Sequence, residues 1–249
     1  MELTVLVENQ CSTEKITDNY WPVIKGAIAV YQATFGTSVL NIRLLGSVVR
    51  GEAGPHSDID FIALLRIMPS EEQMRYLEDQ EKALSQIHPS SGRVDLEAVP
   101  VHGLANFRQF VFATDSVSLF GSDIYTSQCQ TWNRQKLADL VTPDVEDILT
   151  SYRNALKRAN GDDRKLLCFY SRLIGKDILK CFRRIVLLRG GQFERNISKI
   201  YDQTLQYVPE WKQVLQELHE LYVHPSDDRQ RLLKALRNVE SIGLASVRM

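Results

Sequence analysis

Two carboxylates one residue apart, Asp58 and Asp60, stand at the start of the apolar run 58–65 (DIDFIALL). Side chains two apart in a β-strand point to the same face. Both acids therefore share one side, while Ile59 and Phe61 turn to the other and into the core. Like charges on one sheet face repel each other unless a cation neutralises them. A third acid, Asp95, alternates with Val94 and Leu96 in the run 93–99 (RVDLEAV). If the two strands are neighbours, Asp95 meets the pair. The result is an oxygen-rich site for a hard cation such as Mg²⁺, which keeps several waters and binds substrate phosphates. Two such ions about 3.5–4 Å apart clamp the attacking and leaving oxygens of an in-line displacement at phosphorus. An isolated Asp-x-Asp more often marks a solvent-facing strand start. The upstream Gly-Ser and the downstream acid move the reading to chemistry.

That upstream pair is Gly46-Ser47, at the end of the strand Val39 to Leu45. A residue without a side chain lets another group approach the backbone closely. Ser47 opens a short helix, Ser47 to Glu52, whose free N–H groups and hydroxyl suit phosphate oxygens. Gly51 and Gly54-Pro55 then turn the chain into the Asp58 strand. Arg50, one turn from Ser47, can reach a phosphate or pair with Glu52. Ser57 reads as structural, and His56 as an exposed loop residue.

Taken together, Gly46-Ser47, Gly51 and Ser57-Asp58-Ile59-Asp60 resemble the signature of the DNA polymerase beta-like nucleotidyltransferase superfamily, over roughly residues 40–100. The second half resembles, more loosely, the helical C-terminal domain of the aminoglycoside adenylyltransferases. The resemblance implies that Gly46 and Ser47 hold a nucleotide triphosphate and that Asp58 and Asp60 bind the metals. Many members carry the third acid as an Asp on a later strand, which matches Asp95. Leu96-Glu97-Ala98 is similar to the Leu-Glu-Val context of the adenylyltransferase base. The expected roles are Asp95 as metal ligand and Glu97 as the base that activates the acceptor. Two Mg²⁺ ions, ATP or another NTP as co-substrate, and AMP transfer to a hydroxyl acceptor with pyrophosphate release complete the expectation. The alternative is an antitoxin-like minimal nucleotidyltransferase that binds or modifies a partner protein. An Arg-x(4–6)-His spacing, expected of a fused toxin RNase, is not present in the helical half.

These residues need a scaffold, and the chain can build one. Its 249 residues are 44% hydrophobic and 24% charged, an average composition that excludes collagen-like, low-complexity and disulfide-rich miniprotein classes. The fold expected is α+β: a small mixed-sheet nucleotidyltransferase domain, 1–138, followed by an all-helical domain, 139–249, that closes over the substrate. The first has helices over 13–35, from Ser70 to about Ile87 through a Ser70/Gln73 capping box, and near 103–113. The second begins at Thr142-Pro143-Asp144, with proline read at the first helical position. It continues as one long helix over about 163–189 that stops at Gly190-Gly191, then as helices over 195–207, 209–222 and 226–240.

The net charge of −1 hides an asymmetry: residues 1–150 carry 11 Lys+Arg against 20 Asp+Glu, and 151–200 carry 13 against 4. Two bodies meeting over a polyanion would look like this, as would a salt-bridged seam. On the long helix Lys165, Arg172, Lys176, Lys180 and Arg183 form one stripe. Arg172 and Lys176 are the expected phosphate ligands there. Extended nucleic acid is disfavoured, because the basic run lacks interleaved aromatics. Tyr201, Tyr207, Trp211 and Tyr222 read as packing residues. The four cysteines, Cys11, Cys129, Cys168 and Cys181, show neither a C-x-x-C pair nor zinc spacing. Free, mostly buried thiols in a cytoplasmic protein are expected. No membrane span or secretory signal is read.

Overall fold

The computed structural model describes residues 3–90, 92–123, 125, 130–159 and 163–243. The Cys129 thiol lies outside the described residues. In chain order the elements are β1 (Thr4–Val7), α1 (Trp21–Phe35), β2 (Val39–Leu45), α2 (Ser47–Arg50), β3 (Ile59–Leu65), α3 (Glu71–Gln86), β4 (Val94–Pro100), α4 (Asn106–Thr114), β5 (Ser116–Gly121), β6 (Gln130–Asn133), α5 (Arg134–Val141), α6 (Val145–Arg158), α7 (Arg164–Cys181), α8 (Arg183–Leu188), α9 (Ile197–Tyr207), α10 (Lys212–Val223) and α11 (Arg229–Ser241). The chain divides into two compact units, Val7–Gln130 and Met1–Leu6 with Thr131–Met249. The first residues count with the later ones because β1 pairs with β6. The fold is α+β, with a mixed sheet in the first unit and helices dominating the second.

In the first unit the strands run in the order β4-β3-β2-β5. β2 is antiparallel to both β3 and β5, while β3 and β4 are parallel and joined through α3. One face is dry: Ile59, Phe61, Ala63, Val94, Leu96 and Ala98 pack with Val23, Ile24, Ala27 and Tyr31 of α1 and Leu77 and Leu84 of α3. On the other face Leu45, Ile62 and Leu64 pack against Phe112 of α4. Strand alternation thus puts Asp60, Asp95 and Glu97 on the face that α4 covers only in part. The α3 capping box forms as expected. The Gln73 N–H donates to Ser70 Oγ at 3.2 Å, and the Ser70 N–H donates to Gln73 Oε1 at 2.9 Å.

Three helix expectations need correction. The 13–35 segment is two short 3₁₀ turns, Thr13–Lys15 and Asp18–Tyr20, before α1 begins at Trp21. Pro22 fits only the first turn of a helix, where its missing N–H costs nothing. The long 163–189 helix is α7 and α8, interrupted at Phe182, whose N–H bonds to the carbonyls of Leu179 and Lys180. Phe182 is fully buried with its ring 5.8 Å from that of Trp211, so packing fixes the break. At α6 the cap is Asp144, which accepts the N–H groups of Glu146 and Asp147, so Pro143 stands before the helix rather than within it.

The second unit buries Leu149, Leu156, Leu167, Ile174, Ile178, Leu215, Leu218, Leu221 and Leu236 in one core. Gly175 lets α7 and α10 touch: a Cβ there would lie 2.4 Å from the Leu218 carbonyl oxygen. Among the described residues no helix is long and apolar enough to cross a membrane. Cys181 is buried in this unit, and Cys11 and Cys168 are half-buried. Burial, helped by the Asp177 carboxylate, pushes the Cys181 thiol up to about 12. A thiol raised this far stays protonated and unreactive near neutral pH. Iodoacetamide at about pH 8 should therefore spare Cys181 in the native protein and modify it after denaturation. Peptide mass mapping checks this, with Cys11 and Cys168 as internal comparisons.

Candidate active site

The Gly46 turn is built from backbone geometry. Gly46 adopts φ +81°, ψ −147°, a region that favours glycine. Its N–H donates to the Asp115 carbonyl at 3.3 Å. A Cβ on Gly46 would sit 3.4 Å from Asp60 Oδ2, so the Asp60 carboxylate lies directly beside the turn. The helix opened by Ser47 is a single turn of four residues, shorter than the Ser47–Glu52 expected, because Gly51 at φ +71° ends it. Ser47 is half-buried next to Gly46.

Strand pairing brings the acids together. Asp60 is the partner of Leu45 across β2 and of Asp95 across β4. Asp95 and Asp60 are therefore directly opposite each other, on the face that also carries Glu97, which is opposite Ile62. Asp58 lies just before β3 and is tied to β4: its Oδ1 accepts the Arg93 N–H at 3.0 Å. The Arg93 side chain then joins Asp58 and Asp95, with Nε 3.8 Å from Asp58 Oδ1 and Nη2 3.3 Å from Asp95 Oδ2. Both carboxylates are partly open to solvent, with side chains 34% and 41% exposed. The turn before Arg93 approaches residue 57 so closely that a Cβ on Gly92 would lie 2.0 Å from the Ser57 carbonyl oxygen.

Among the described residues no group of three His, Cys, Asp or Glu side chains is set to hold a metal ion. Two of the three expected acids, Asp60 and Asp95, are brought opposite each other. The third, Asp58, reaches Asp95 through Arg93. The donor set nevertheless fits a divalent cation: carboxylate oxygens on adjacent strands, beside an open glycine turn, are hard ligands of the kind Mg²⁺ takes.

The remaining candidates have clear neighbours. Glu97 is gripped through both oxygens by Arg108 of α4, one bond measuring 2.7 Å. This contact raises the Arg108 guanidinium above its usual range. Arg50 pairs with Glu52 at 2.8 Å and with Asp115, and its side chain is only 13% exposed. Burial lowers its pKa, but Asp115 and Glu52 together outweigh that and raise it. Asp115 also receives the Cys11 Sγ–H, at 3.7 Å. Ser57 accepts the Gly54 N–H at 2.8 Å, a structural bond as expected, and His56 is exposed. Arg172 and Lys176 belong to the second unit, on α7, where the Arg172 guanidinium lies 5.4 Å above the Tyr222 ring.

Sequence reasoning did not single out Arg93, Arg108, Asp115 or Glu81. Glu81 of α3 accepts the Leu96 N–H at 2.7 Å, sealing a donor of β4, the edge strand of its sheet. Desolvation chiefly raises its carboxyl pKa, with Asp95 adding to it. Of the four, only Arg93 had a local signal, its parity with Asp95 at the head of the same strand.

Residues 32–91 match the protein-family model described as "Nucleotidyltransferase domain". The match contains Gly46, Ser47, Arg50, Asp58 and Asp60 and ends before Asp95. The search of curated proteins found no match. Among the solved structures similar to this chain are the following three. One is the spectinomycin adenyltransferase AAD(9) from Enterococcus faecialis with ATP and spectinomycin, at 10% identity and TM-score 0.46, covering 87% of this chain and 99% of that one. Another is a toxin-antitoxin with AMP-PNP, at 18% identity and TM-score 0.31, covering 39% and 73%. A third is the CdnE cyclic dinucleotide synthase of Elizabethkingia meningoseptica with GTP and Apcpp, at 14% identity and TM-score 0.30, covering 94% and 95%. Over residues 32–91 this chain is similar to nucleotidyltransferase domains, and on that stretch rests its likeness to the DNA polymerase beta-like superfamily.

Proposed function

We propose that the chain moves AMP from ATP onto a hydroxyl acceptor and releases pyrophosphate. The observation that carries this reading is the pairing of Asp60 with Asp95, with the Asp60 carboxylate against the Gly46 turn. In the proposed reaction the acceptor oxygen forms a bond to the α-phosphorus, and the bond from that phosphorus to the bridging β-phosphate oxygen breaks. The acceptor proton goes to Glu97, which must first leave Arg108. Gly46 and Ser47 seat the triphosphate, with Gly46 giving close approach and Ser47 a hydroxyl donor. Arg50, locked to Asp115 and Glu52, serves that seat by bracing the turn. Asp58, Asp60 and Asp95 would hold divalent cations, Mg²⁺ in this proposal, which supply charge neutralisation at the phosphorus.

The test is ATP binding and pyrophosphate release with Mg²⁺, against aminoglycoside, lincosamide and protein acceptors. Mg²⁺-dependent binding with acceptor-stimulated pyrophosphate release supports the reading. Absence of any Mg²⁺-dependent nucleotide binding overturns it.

A further inference from the structure

Arg93 stands against the proposed cation site, since its side chain joins two of the three carboxylates proposed to hold metal, Asp58 and Asp95. It is also built into that place by its own backbone. The Arg93 N–H donates to Asp58 Oδ1 at 3.0 Å, and the Arg93 carbonyl accepts the Ile59 N–H at 2.8 Å. Gly92 permits both bonds through its close approach to Ser57. The side chain is different: it is 62% exposed and its ion pairs are long, 3.3 and 3.8 Å. Exposed pairs of this kind hold weakly. A guanidinium and a divalent cation compete for the same carboxylates, because they repel each other across a few ångströms.

We propose that Arg93 is a displaceable counter-ion of the acid site, which divalent cations evict and whose guanidinium then binds the phosphate chain of the incoming nucleotide. This rests on the nucleotidyltransferase reading above. The backbone anchor keeps Cα93 beside the site while the flexible side chain exchanges two carboxylates for phosphate oxygens, which Arg matches with its fork of donors. Arg93 would thus offset the repulsion between the acids and afterwards bind substrate.

The test uses the full chain with Mn²⁺ as a spectroscopic probe, bound metal being read by electron paramagnetic resonance without nucleotide. Arg93→Met keeps the length of the side chain and removes its charge. It should bind Mn²⁺ about fivefold more tightly than wild type, since the competing ion pairs are gone. In the presence of Mg²⁺ it should bind a non-hydrolysable ATP analogue about tenfold more weakly, since a charge-assisted contact is lost. Arg93→Lys should recover much of both and controls for folding. Asp60→Asn marks the site. If Asp60→Asn abolishes Mn²⁺ binding while Arg93→Met leaves it unchanged or weaker, the Arg93 proposal falls and the function stands. Tighter Mn²⁺ binding with undiminished nucleotide affinity overturns the phosphate half of the proposal. If wild type binds neither Mn²⁺ nor nucleotide, both readings fall.

Discussion

Asp60→Asn should lower AMP transfer by about 10³-fold or more while leaving the fold intact. The size follows from the chemistry asked of the residue. Charge stabilisation by bound metal is worth several kcal/mol in the transition state, and about 4 kcal/mol is a factor near 10³ in rate. The position makes Asp60 the most sensitive of the acids. It is the partner of both Leu45 and Asp95, and its Oδ2 lies against Gly46, so it stands beside both the proposed nucleotide turn and the opposite strand. Asparagine has nearly the same shape, so packing barely changes. Stability should move the opposite way from activity. Like charges directly across two strands are destabilising, so without metal the variant should melt at the same temperature as wild type or slightly higher. Quenched-flow or steady-state pyrophosphate release gives the first number, and calorimetry the second. Lost activity with a lowered melting temperature would mean that Asp60 is structural. Asp58→Asn should cost less, because Asp58 stands outside the strand with one oxygen taken by the Arg93 N–H.

The parts of this fold that are legible in the sequence are the ones set by near neighbours. Alternation in DIDFIALL and RVDLEAV gives the strands, the faces and the shared side of the acids. The Ser70/Gln73 pair gives the start of α3, and Gly46-Ser47 gives the turn. The order of the strands is not local information. Only the adjacency of β3 and β4 turns three acids on two segments into an opposed pair, and sequence reasoning had to leave that conditional. The arginines were opaque for the same reason. Arg93, Arg108 and Arg50 look like surface charge until their partners arrive from 35, 11 and 65 residues away, through Asp58, Glu97 and Asp115. Arg43 is the extreme case. Within an apolar strand it is completely buried, with Nε donating to Ser116 Oγ at 2.7 Å and Nη1 to Asp123 at 2.8 Å. A buried charge is tolerated only when so paired, and the neighbouring β5 with Asp123 just beyond it supplies the pairing. The break at Phe182 was hidden because helical periodicity runs through it, and only packing against Trp211 distinguishes it.

Gly92→Ala should damage the site through backbone crowding. The added Cβ would meet the Ser57 carbonyl oxygen at 2.0 Å and its carbon at 2.7 Å. Both are backbone atoms, so no side chain can rotate away, and the two segments must separate by about 1 Å to reach normal contact. The bonds that would break are those that set the register of the acids: Ile59 N–H to the Arg93 carbonyl at 2.8 Å, and Arg93 N–H to Asp58 Oδ1 at 3.0 Å. With them gone, β3 and β4 no longer enter their ladder at Ile59 and Val94, and the opposition of Asp60 and Asp95 is loosened. Overpacking of this kind costs about 1–3 kcal/mol, and misplacing reacting groups by about 1 Å can cost 10²-fold in rate. The variant should therefore unfold at lower denaturant and transfer AMP about 10²-fold more slowly, with weakened Mn²⁺ binding as the sign that the acids have moved. Gly54→Ala, in the neighbouring loop, is the control. Nothing lies within 4 Å of its added Cβ, so stability and rate should stay near wild type. Equal behaviour of the two alanine variants would show that the approach of residue 92 to residue 57 has no part in placing the acids.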